Sequence, residues 1–128
     1  MGFDRVLPIP PQQTVTAMGG HLPTWFPDAD FGLVSAWSME GSPDKSSWAT
    51  WTDQRCRTVT VYYYLHQDGG PTSWKVQYDK AKACGNEVMG MGECIGYRVA
   101  LPMSEGLAVQ TIGLSREEAD QLVQSIPL

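Results

Sequence analysis

Residues 57–65 read RTVTVYYYL, and this stretch decides the fold. Almost every position is β-branched or aromatic, the composition that suits a pleated, half-buried surface. Side chains alternate across a strand, so Val59, Val61, Tyr63 and Leu65 take one face and Thr58, Thr60, Tyr62 and Tyr64 the other. The stretch is the strongest strand signal in the chain and gives a strand with two distinct faces. It ends at Gln67-Asp68-Gly69-Gly70-Pro71, a cluster of turn residues.

Working toward the N-terminus, Trp48–Thr52 and Phe31–Met39 read as two more strands, separated by the turn cluster Glu40-Gly41-Ser42-Pro43-Asp44. Residues 1–30 hold five of the nine prolines and the pair Gly19-Gly20. Such punctuation leaves little room for regular elements, so residues 1–30 are predicted to form an irregular arm. Trp25 and Phe26 are expected to anchor it to the core.

Working toward the C-terminus, residues 73–83 are ambiguous. Trp74, Val76 and Tyr78 alternate as in a strand, whereas Trp74, Gln77, Tyr78 and Ala81 share a helix face. A cap at Thr72 or Ser73, Lys80-Ala81-Lys82-Ala83 and Gly85 favour a helix. Ile95–Leu101 and Leu107–Ile112 read as strands. Residues 115–126 carry the clearest helix. Ser115 and Glu118 have capping-box spacing, and Ala119, Leu122, Val123 and Ile126 form an apolar stripe. The sum is one α+β domain over residues 1–128: about five mostly antiparallel strands, with helices near 73–83 and 115–126 packed on one face.

Composition narrows the function. The formal net charge is −5, with no cluster of Lys or Arg, which argues against a nucleic-acid partner. No apolar run approaches the roughly 18 residues of a membrane span. The first residues lack a basic segment followed by an apolar stretch, so no signal peptide is visible in them. There is no C-x-x-C, and His21 and His66 lie far apart, so neither a metal nor another cofactor is expected.

No catalytic residue is expected either. His21 sits in a glycine-rich loop with no partner at a recognisable spacing. Asp28 and Asp30 resemble a fragment of a calcium loop, but the residues that follow are apolar strand. Cys56 lies between Arg55 and Arg57. Strand geometry points those cations away from it, and a buried, inert, free thiol is expected. Cys84 and Cys94 flank a glycine-rich loop able to close as a disulfide; the alternative is three reduced cysteines used as small apolar residues.

The aromatic residues are the better lead. Trp48, Trp51, Tyr62 and Tyr64 lie on adjacent predicted strands, and exposed Trp and Tyr on a sheet suit contact with a protein or small ligand. They form the candidate binding site, against the alternative that a small domain spends its aromatics on its core.

Residues 73–126 also resemble the C-terminal half of small exported lipoprotein and sensor domains of actinobacteria. The stretches SWKVQYDKAKA (73–83), VMGMGEC (88–94), GLAVQTI (106–112) and LSREEADQLVQSI (114–126) carry the resemblance. It implies an extracytoplasmic location and a non-enzymatic binding or sensor role, with no catalytic residues to transfer. The alternatives are a small cytoplasmic enzyme or inhibitor with a loop-built site, and an intracellular interaction module.

Overall fold

A computed structural model describes residues 5–40, 45–65, 76–79, 94–100 and 105–128. Among these, the elements in chain order are β1 (Arg5–Pro8), a 3-10 turn (Pro11–Gln13), α1 (Thr14–Ala17), β2 (Gly32–Glu40), β3 (Lys45–Thr52), β4 (Thr58–Leu65), β5 (Val76–Asp79), β6 (Cys94–Ala100), β7 (Glu105–Ile112) and α2 (Arg116–Gln124). The strands form one antiparallel sheet in the order β1-β2-β3-β4-β7-β6-β5. The α+β class and the antiparallel sheet agree with the sequence.

The number of strands and one helix do not. Seven strands replace five, and both additions are short edge strands. Arg5–Pro8 lie in the expected irregular arm, yet they pair in register with Trp37–Glu40. Val76–Asp79 lie in the helix expected near 73–83, yet they pair with β6, Tyr78 opposite Tyr97. Pairing with an available sheet edge outweighs a helix propensity spread over one short segment. The rest of residues 73–83 lies outside the described residues.

The parity read from β4 is realised. Val59 and Val61 are fully buried, facing Ala49 and Trp51 of β3 and Leu107, Val109 and Thr111 of β7 on the same side. This face carries the core. Leu114, Ala119, Leu122, Val123 and Ile126 cover it from the α2 side. Met18, Leu22, Trp25, Phe26 and Phe31 cover it from the N-terminal segment.

Three devices fix the covering layer. Ser115 Oγ accepts from the Glu118 amide at 3.1 Å, and the Ser115 amide donates to Glu118 Oε1 at 2.9 Å, so the capping box forms as expected. The Tyr97 hydroxyl donates to Asp120, tying β6 to α2. Ser125 Oγ accepts from the amides of Thr24 and Trp25 at 3.0 and 3.2 Å, which locks the N-terminal segment to the end of α2.

Candidate functional site

The opposite face of the sheet carries the aromatic row. Strand register places Pro8, Trp37, Trp48, Tyr62, Ala108, Arg98 and Gln77 in one line across all seven strands. Neighbouring strands lie about 4.8 Å apart, so Trp37, Trp48 and Tyr62 form adjacent steps. The Trp48 and Tyr62 rings are tilted at 31° with centroids 6.4 Å apart, within the range of favourable aromatic pairs. Tyr62 is 37% exposed, and Trp37 and Trp48 are half-buried. Polar side chains border the row. Thr50 and Thr60 hydroxyls meet at 3.1 Å, and Gln110 follows Thr60 in register.

The structure brings together two of the four residues expected from sequence and separates the others. Trp48 and Tyr62 are direct cross-strand partners. Trp51 is not on this face. It lies in register with Val59, is 8% exposed, and packs its ring against Phe26 at 5.6 Å in the core. The correction follows from parity: an odd separation of three puts Trp48 and Trp51 on opposite sides of one strand. Tyr64 is on the right face, but its ring lies against Gly106, its partner on β7, where a Cβ would collide with it. It is half-buried and belongs to the margin of the row.

Trp37 is the member that the expected site lacked. Its strand was recognised, and the signal that finds it is the register Trp37–Trp48, which depends on the length of the β2–β3 turn. Cys84 lies outside the described residues, so the Cys84–Cys94 bridge does too. Cys94 is 7% exposed and near Gln110, whose Nε2 is 3.4 Å from its Sγ.

Cys56 is free, as expected, but exposed rather than buried. Its φ of 62° puts it in the left-handed region at the turn between β3 and β4, not in a strand. That turn is held by Asp53. Its Oδ1 accepts from the amides of Arg55 and Arg57, each at 2.9 Å, and its Oδ2 from Arg57 Nε at 2.7 Å. Burial alone would raise the Asp53 pKa. The hydrogen bonds and charge of Arg57 outweigh it and hold the carboxyl below its ordinary value. Arg57 also pairs with Asp28 and reaches Glu118 at 3.5 Å, with Phe31 beneath its guanidinium. Every one of these groups is engaged with another, which marks a structural clamp between turn, loop and α2.

A second polar cluster joins four distant segments. His21 Nδ1 lies 2.7 Å from the Pro127 carbonyl. A carbonyl only accepts, so Nδ1 carries the hydrogen. Nε2 then faces Glu105 Oε2 at 4.0 Å, and the ring tilts on Tyr63 at 5.5 Å. Burial, then a hydrogen bond to Glu105 and its charge, push the Tyr63 phenol up to about 12. Gly19, with φ of 64°, passes close over the Tyr63 ring. Sequence spacing could not find this cluster, because residues 21, 63, 105 and 127 meet only through the sheet.

Among the described residues no group of three His, Cys, Asp or Glu could hold a metal ion, and no helix is long and apolar enough to cross a membrane. Comparison with family models, curated proteins and solved structures finds no match.

Proposed function

We propose that this chain is a non-enzymatic binding domain that presents its open sheet face to a protein partner. One observation carries the reading. Trp37, Trp48 and Tyr62 line up across three strands on the face opposite α2, while Trp51 and the aliphatic residues are drawn to the other face. Protein interfaces are enriched in Trp, Tyr, Met and Arg. This face carries Trp37, Met39, Trp48, Tyr62 and Arg98 at its register positions. The resemblance of residues 73–126 to exported domains supports an extracytoplasmic setting, in which a Cys84–Cys94 bridge would persist.

The test pairs binding with stability. Cross-linking on the native protein identifies the partner, and its affinity is then measured against Tyr62→Ala and Trp48→Ala. The expected outcome is weakening by about 1 kcal/mol or more for each, with cooperative melting retained. Affinity unchanged in both variants would defeat the reading. Binding to a glycan panel lost in the same variants would keep the face and replace the protein by a carbohydrate.

A further inference from the structure

A different surface, at the β1 edge of the sheet, carries an independent inference. Seven large apolar side chains among the described residues are exposed, and four of them lie on β1 and β2 at this edge: Val6, Leu7, Leu33 and Val34. The geometry explains the gathering. β1 covers only the Trp37–Glu40 half of β2. After a last bond from the Ile9 amide to the Ala36 carbonyl at 2.9 Å, the chain turns off the sheet through Pro10 and Pro11 into the 3-10 turn. Beyond Ala36, residues 32–35 of β2 have no strand on that side among the described residues.

Val34 stands out within this half. It is skipped at the bulge between Leu33 and Ser35, so β3 offers it no register partner, and it is 62% exposed. A groove of about 340 Å³ borders this edge, lined by Pro8, Ile9 and Pro11 together with residues 33–37. Natural edges are blunted by Lys, Pro or bulges. Residues 32–36 read GLVSA, so the bulge is the one such device here.

We infer that the open half of β2 accepts an extended peptide segment of another protein by strand addition, continuing the ladder that β1 begins. Only an extended backbone supplies alternating donors and acceptors at the spacing of an open edge, and a flanking groove then selects alternate side chains. The β1–β2 ladder is antiparallel, so a segment continuing it runs with its C-terminal end toward Gly32 and the exposed Asp30. A basic residue at that end complements Asp30 and the net charge of −5. This inference does not rest on the aromatic face.

The probe is a capped pentapeptide, Thr-Val-Thr-Val-Lys, titrated into the full chain while backbone amide resonances are followed by NMR. The expected result is saturable shifts centred on Gly32–Ala36. They are lost when the peptide is N-methylated at alternate residues and lost in Val34→Lys, but kept in Tyr62→Ala. Val34 is exposed, so its substitution leaves the fold intact, and the N-methylated peptide tests the same claim without any variant. Absence of shifts, shifts confined to the Trp48–Tyr62 face, or equal binding of the N-methylated peptide would each overturn the inference. Loss in Tyr62→Ala with retention in Val34→Lys would move the site to the aromatic face.

Discussion

Trp48 and Trp51 are three residues apart in one strand, and that odd spacing gives two identical side chains opposite roles. Trp51 packs into the core beside Phe26 and Val59, whereas Trp48 meets Tyr62 on the opposite face. Trp51→Ala should therefore cost about 3–5 kcal/mol, as truncation of buried aromatics does. Tyr62→Ala should cost about 1 kcal/mol or less, since little of its contact lies in the core. Chemical denaturation of both variants checks this, and equal losses would return Tyr62 to the core. Tyr63, between these faces in sequence, differs again. Its phenol is raised to about 12, first by burial and then by Glu105. Its folded pKa exceeds its unfolded value of about 10, so between these values the unfolded chain has released a proton that the folded chain retains. The Tyr63 contribution to stability is thus complete below about pH 10 and is lost as pH rises toward 12. Ultraviolet titration should show a late phenolate step that disappears in Tyr63→Phe.

Elements are where the sequence was most and least legible. β4 and α2 could be read because each carries a complete local signal, period two in one and a capping box with an apolar stripe in the other. Residues 76–79 could not, because both periods fit so short a segment and the deciding fact, an open edge on β6, is not local. The β3–β4 turn was hidden for another reason. Asp53 and Arg57 look like ordinary surface charges, and only the closed turn shows that the Asp53 side chain is buried and triply bonded. Removing Asp53 leaves the amides of Arg55 and Arg57 without their acceptor while Arg57 keeps Asp28 and Glu118, so Asp53→Ala should destabilise by about 1–3 kcal/mol. Asp53 also predicts acid sensitivity. Its folded pKa is depressed, so its stabilisation is present above the unfolded value near 4 and is lost as pH falls through the folded one. Stability measured from pH 6 to pH 2 should fall less steeply in Asp53→Asn than in the unaltered chain, and equal slopes would remove Asp53 as the source.

At the scale of the molecule, the helix layer and the N-terminal segment cover one face of the sheet, and they account for the buried core. The arm expected to be irregular closes that layer through Thr24, Trp25 and Ser125, a union of residues a hundred positions apart that no local pattern announces. The same long-range logic bears on the cysteines. Cys56 is exposed at a turn and free. Cys94 begins β6 and is buried, with Cys84 ten residues before it. Bridging Cys84 to Cys94 would close a short loop, limiting its entropic stabilisation to about 2–3 kcal/mol. It would also anchor the chain entering β6, next to β7 and the open face. Thiol titration of the native, unreduced protein is therefore expected to find one reactive group per chain, quickly modified and absent in Cys56→Ser. Denaturation without reductant should reveal no more, and reduction should raise the count to three. Three thiols in the denatured, unreduced chain would eliminate the bridge and, with it, the chemical argument for an oxidising compartment. A single thiol would leave the aromatic face and the β2 edge to be tested on an oxidised domain.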